Sequence, residues 1–154
     1  NTDPRCLRAA ARLLEAGIRT DRLYRKLYQT DRPQRLELMR RMLGTLELSC
    51  SGKLASMLLR RRDFQASSAR PEESENLVNE ALRLDTVDTA ILLVENESCV
   101  RVNLRSRDLV DVSAVARQFG GGGHQRAAGL RSDEPIETLR ARLVDACAKA
   151  LAGA

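Results

Sequence analysis

Residues 119–129 read Phe-Gly-Gly-Gly-Gly-His-Gln-Arg-Ala-Ala-Gly, and the run Gly120–Gly123 constrains this chain more than any other segment. Four successive glycines give up side-chain contacts and raise the entropic cost of ordering the backbone. In return the chain can turn tightly and meet a ligand at van der Waals distance. Bared N–H groups in such a turn form a nest for an anion, usually a phosphate. His124, the only histidine, follows at once, with Arg126 two residues on, and both donate hydrogen bonds to phosphate oxygens. A glycine cluster behind an apolar helix also serves as a plain helix cap and loop. The flanks weigh against that reading. Val112, Val115, Ala116 and Phe119 share one face of a helix that Asp111 or Ser113 can cap. Ala127–Leu130 is small and apolar, as in a buried strand. The expectation is a ligand loop pinned at both ends, with amides free for an anion rather than glycines placed for packing.

The rest of the chain divides by texture. Residues 4–16, 21–28 and 33–44 have helical spacing. Thr2 or Asp3 caps the first helix, with Pro4 in its first turn and Gly17 at its end. Leu23, Tyr24, Leu27 and Tyr28 are expected to face inward in the second helix. Leu36, Met39 and Leu43 form the stripe of the third, with Arg35, Arg40 and Arg41 outside it. Thr45–Ser49 and Leu54–Leu59 read as a hairpin about the turn Cys50–Lys53. Residues 60–70 read as a polar loop. Pro71 opens a helix with Leu77, Val78, Ala81 and Leu82 on its apolar face.

Ala90–Val94 is continuously apolar, as in a central strand buried on both faces. The next strand alternates: Val100, Val102 and Leu104 point one way, while Arg101, Asn103 and Arg105 make a polar, doubly cationic face. A last helix follows Pro135, with Ile136, Leu139, Leu143, Cys147 and Ala150 inward. The predicted fold class is α/β: a mixed sheet of about five strands covered by helices, preceded by a helical connector over 1–44.

Composition narrows function without naming it. The chain has 154 residues and a net charge of +5, mostly from arginine, which suits bidentate phosphate contact. The null alternative for such charge is a solvated basic face. Only two Phe and two Tyr are present, too few for base-stacking platforms. Cys6, Cys50, Cys99 and Cys147 are far apart, which argues against a zinc site and a redox motif. No signal peptide or long apolar run is present, so a cytoplasmic setting with no membrane partner is expected. Asn1-Thr2-Asp3-Pro4 opens inside a capping motif, and we expect a piece of a longer protein.

Residues 112–129, with the core Gly-Gly-Gly-Gly-His-Gln-Arg-Ala-Ala-Gly, closely resemble the signature of the DHHA1 domain, the C-terminal half of DHH-superfamily phosphoesterases. Val102-Asn103-Leu104-Arg105-Ser106 is similar to the family's strand ending in Leu-Arg-Ser, and Asp111-Val112-Ser113 matches the start of the helix before the glycines. Glu75-Asn76-Leu77-Val78-Asn79 resembles the family's Glu-Gly-Leu-Val-Asn, with Asn76 in place of glycine. Asn1-Thr2 resembles the point just past a DHH catalytic domain. The pattern is most similar to the bifunctional oligoribonucleases and pAp phosphatases (pAp is 3′-phosphoadenosine-5′-phosphate).

That resemblance implies a DHHA1 substrate-binding domain over 45–154. It also implies an N-terminal DHH domain, absent from this chain, that holds two Mn2+ ions and hydrolyses short RNA oligonucleotides or pAp. No Asp-His-His motif occurs here, so no catalytic residue and no metal ligand is expected in this fragment, which should be inert alone. The implied substrate contacts are the amides of Gly121, Gly122 and Gly123, the imidazole of His124, and Arg105 on a terminal phosphate or a base. Ser106 and Arg126 would assist. Asn79 is a further candidate contact, with a plain helix-surface position slightly favoured over it. Expected partners are a short RNA oligonucleotide or nucleotide phosphate and the intramolecular DHH domain, with homodimerisation left open. The alternatives are a non-catalytic nucleic-acid-binding module of the alanyl-tRNA-synthetase-tail type, and a cyclic-dinucleotide or exopolyphosphatase-like DHH hydrolase.

Overall fold

A computed structural model describes residues 2–153 and divides into two compact units after Pro33. The expected Asn1 motif therefore lies partly outside the described residues. In the first unit, α1 (Pro4–Glu15) starts at Asp3, whose carboxylate accepts from the Cys6 amide at 2.8 Å, with Pro4 in the first turn. Gly17 follows the helix with φ +88°. The second helix is α2 (Thr20–Tyr28). Its side chains Leu23, Tyr24, Leu27 and Tyr28 are all exposed, contrary to the inward face expected for them. Two helices of 12 and 9 residues are too short to enclose a core, and neither has a buried residue.

The second unit is built on a six-stranded sheet. Helix α3 (Pro33–Leu43) leads into β1 (Glu47–Ser49) and β2 (Leu54–Leu59), an antiparallel hairpin. Its turn runs through Cys50, Ser51 and Gly52, all at positive φ. Next come α4 (Arg61–Ser67) and two 3-10 helices, Pro71–Ser74 and Leu77–Arg83. Strands β3 (Thr89–Glu95) and β4 (Val100–Ser106) precede α5 (Val112–Arg117). Last are β5 (Gly122–His124), β6 (Ala127–Ser132) and α6 (Ile136–Ala152). The strand order is β1-β2-β3-β4-β6-β5, parallel only between β2 and β3.

One face of the sheet is fully covered. Leu54, Ile91, Leu93, Val102, Leu104 and Leu130 pack there against Val112 and Val115 of α5 and Leu139, Leu143 and Cys147 of α6. The other face is covered only over β2 and β3, where Met57, Leu59, Ala90, Leu92 and Val94 meet Leu38 and Met42 of α3 and Leu77, Val78 and Ala81. Over β4 that face is covered only in part, where Arg101 reaches Ser74, and over β6 and β5 it is open. Helix α3 thus turns Leu38 and Met42 inward, one helical turn apart, while Leu36 and Leu43 are exposed, contrary to the expected stripe. Apolar residues at 36, 38, 39, 42 and 43 nearly encircle the helix, so packing selects the face. Arg35 is only half-exposed, and its guanidinium donates to the carbonyls of Glu73 and Glu75.

Within residues 60–70, where a loop was expected, Arg61–Ser67 form a helix. The Asp63 carboxylate accepts from the Arg60 amide at 2.8 Å and starts α4, while only Phe64 packs against the core. One apolar residue carries no periodicity. The single helix expected after Pro71 is broken instead at Glu75-Asn76, where Asn76 takes φ +62°. This is the position of the motif's glycine, and asparagine is the side chain that best tolerates the left-handed region.

The glycine run is the largest correction. The amides of Gly120 and Gly121 donate to the carbonyls of Arg117 and Ala116, closing α5. Gly122 and Gly123 then enter a sixth strand, one more than expected. Packing does require two of these glycines. A Cβ at Gly121 would lie 2.4 Å from the Gly129 carbonyl and 2.5 Å from Leu130 Cβ. One at Gly123 (φ +144°) would lie 2.6 Å from the Ala127 carbonyl. The run closes α5 and enters an edge strand, with the amides of Gly120 and Gly121 already engaged.

Candidate functional site

The open half of the sheet collects most of the expected site. Directly paired residues on neighbouring strands project to the same face. Asn103 pairs with Gly129, and Gly129 with Gly122. Arg105 pairs with Ala127, and Ala127 with His124. Arg101 pairs with Arg131. Arg101, Asn103, Arg105, Gly122, His124 and Arg131 therefore share one surface, floored by Ala127 and Gly129 and beyond the cover of α3. A Cβ at Gly122 would meet nothing within 4 Å, so the fold itself does not demand glycine there. As the outer strand, β5 also turns every second backbone group away from its partner.

The electrostatics of this surface are one-sided. The Arg105 guanidinium donates to the Leu104 carbonyl at 3.0 Å, and among the described residues it forms no ion pair. The exposed His124 ring makes no hydrogen bond among them either. Arg126, at the turn after β5, donates to the Val110 carbonyl at 3.3 Å and lies 3.9 Å from the Asp108 carboxylate, half engaged in holding the neighbouring loop.

Three expected contacts, Ser106, Gly121 and Gly123, are turned to the packed side of the sheet. Ser106 is buried on the opposite face and its hydroxyl donates to the Val110 carbonyl at 2.6 Å, so it holds the 106–110 turn. Gly121 has spent its amide on Ala116, and the Cβ directions at Gly121 and Gly123 point into the packed side. Asn79 is exposed on the second 3-10 helix, with no side-chain hydrogen bond among the described residues.

The surface is held from behind by one loop. Burial pushes the Asp88 carboxyl up, but bonds from the Leu109 and Asp108 amides, both at 2.9 Å, and from Thr89 outweigh it and bring it below the ordinary value. The Arg107 guanidinium reaches back to the carbonyls of Leu82, Leu84 and Asp85. The Val112 amide donates to the Gln125 carbonyl at 3.0 Å, tying this loop to the turn behind His124. At the start of α5, the bond from the Ala114 amide is the main cause that lowers the Asp111 carboxyl. Phe119 lies under the Arg142 guanidinium, 5.1 Å from its ring centre, and pins the far end of α5.

Arg101, Asn103 and Arg131 belong to the surface but were not named as site residues. The alternation of β4 marks Arg101 and Asn103 as outward. Nothing in sequence sets the register that brings Arg131 and Gly129 beside them.

A family model for the DHHA1 domain matches residues 53–152. The chain belongs to the DHHA1 domain family. It is 32% identical over 129 residues to the bifunctional oligoribonuclease and PAP phosphatase NrnA of Thermus thermophilus, covering 84% of this chain and 38% of that protein. The NrnA of Bacillus subtilis is 26% identical, over 84% of this chain and 40% of its own length. A crystal structure of an exopolyphosphatase-related protein from Bacteroides fragilis superposes with a TM-score of 0.86 at 26% identity, over 99% of this chain and 44% of that one. This DHHA1 chain thus spans about two-fifths of the length of the curated relatives it matches.

Among the described residues, no group of three His, Cys, Asp or Glu side chains could hold a metal ion. The donors on the open face are guanidinium, imidazole and amide groups, which bind anions. The two Mn2+ ions implied by the resemblance do not fit these residues. Among the described residues, no helix is long and apolar enough to cross a membrane.

Proposed function

We propose that the open half of the sheet grips the phosphate-bearing end of a short RNA oligonucleotide, or of pAp, for a hydrolysis carried out by a DHH domain outside these residues. The observation behind this is the placing of Arg105, His124 and Gly122 on one open surface, where neither the guanidinium nor the imidazole has a carboxylate partner among the described residues. Arg105 donates to a terminal phosphate, and His124 donates from the opposite side of Ala127. Gly122 lets the ligand lie against the backbone. The names of the two NrnA relatives support oligoribonucleotides and PAP as the substrate class. The manganese chemistry belongs to the DHH domain, where the metals would activate the attacking water. This chain alone is proposed to bind and not to cleave, in a cytoplasmic enzyme.

Calorimetry with pAp and pApA against dephosphorylated ApA tests the grip. The phosphorylated ligands should bind more tightly, and Arg105→Gln or His124→Ala should each lower their affinity about tenfold. Equal affinity for ApA and pApA would refute the phosphate contact. Cleavage of pApA by the purified chain with Mn2+ would refute the division of labour.

A further inference from the structure

Arg101 and Arg131 stand directly opposite each other on β4 and β6. Like charges at facing positions of a sheet destabilise it. Here neither guanidinium forms a close ion pair among the described residues, and only Glu72 and Glu75, in the same hollow, offset the repulsion. The Arg131 guanidinium makes no hydrogen bond among them. Arg101 is held in place by a 2.7 Å bond to the hydroxyl of Ser74, itself buried and donating to the Pro71 carbonyl at 2.6 Å. Its Nε is buried and has no hydrogen-bond partner. One arginine is thus fixed and incompletely satisfied, and the other is free beside it.

We propose that the Arg101–Arg131 pair is a second anion subsite, which takes an internal phosphodiester of an oligoribonucleotide whose end phosphate sits at Arg105. The proposal rests on the phosphate grip described above. Arg101 and Arg105 are four residues apart on one strand, roughly 13 Å between Cα positions. One phosphate does not engage both sites at that separation, whereas a chain of phosphates can. Between them lie Asn103 and Gly129, low enough for a backbone to pass. Glu72 and Glu75 line the same hollow as the pair, so a polyanion gains nothing by continuing past it. The pair therefore favours oligomers over mononucleotides.

The test compares 5′-adenylate (pA) with the triadenylate pApApA by calorimetry over a range of salt, using the whole chain and Arg131→Gln. Affinity for pApApA should fall about tenfold while that for pA changes less than about twofold. The slope of log affinity against log salt for pApApA should shrink by about 0.7, one single-strand phosphate contact. Arg131→Lys should restore most of that slope. Removing the repulsion should leave the melting temperature of Arg131→Gln equal to or above that of the parent. Equal losses for both ligands, no loss for either, or a lower melting temperature would overturn the subsite while leaving the grip at Arg105 standing. Failure of the parent chain to bind pA or pApApA would overturn both. Inorganic tripolyphosphate competing as well as pApApA would overturn the oligonucleotide assignment.

Discussion

Arg105 and His124 stand on either side of Ala127, one on each neighbouring strand, so the smallest chiral side chain lies between a guanidinium and an imidazole. Two strand spacings separate them by roughly 10 Å, enough for a phosphate to settle against the Ala127 methyl and be met from both sides. Filling this gap should block the ligand without harming the fold. Ala127→Val keeps a strand-compatible residue on an open face. Its melting temperature should stay within a few degrees of the parent, while affinity for pApA falls at least about tenfold. Unchanged affinity in calorimetry would place the ligand elsewhere.

The glycines should separate into two classes. Gly121→Ala would drive a methyl into the Gly129 carbonyl and Leu130, and should cost about 1–3 kcal/mol in urea unfolding. Gly122→Ala meets open space, so stability should be unchanged or raised by about 0.4–1 kcal/mol through the unfolded chain. Binding should respond in the opposite sense, with Gly122→Ala weakening pApA.

Asp88 should make the loop behind the site sensitive to acid. Its folded-state carboxyl titrates below the ordinary 3.8, so its stabilisation is complete above that value and is lost as pH falls through the folded value. Asp88→Ala leaves the Asp108 and Leu109 amides without their acceptor and should cost about 1–3 kcal/mol at pH 7. The difference between parent and variant should shrink below pH 3.8, as read by urea unfolding at each pH.

The four free cysteines should differ widely in reactivity. Burial, with a smaller contribution from nearby Cys50, pushes the Cys147 thiol up to about 12, while Cys6 is exposed. The thiolate is the reactive species. Mass spectrometry after iodoacetamide at pH 8 should find Cys6 alkylated first and Cys147 last, at a rate set by opening of the α6 core. Early modification of Cys147 would show that α6 opens more readily than its packing implies.

Where local pattern coincides with burial, the primary structure is readable. The apolar run Ala90–Val94 is the central strand, and the alternation Val100–Arg105 separates core from open face residue by residue. Asp111 caps α5 as its position suggests. A side chain's intrinsic preferences determine these features, and they act within a few residues. The rest depends on partners far along the chain. Gly121 and Gly123 are glycines because β6 lies against them, and Leu38 rather than Leu36 is buried because β2 and β3 meet that side of α3. The Ser106 hydroxyl is engaged because the 106–110 turn brings the Val110 carbonyl to it. Register alone sets Arg131 opposite Arg101 and His124 across from Arg105, and register arises from packing of the assembled sheet, which no stretch of sequence contains by itself.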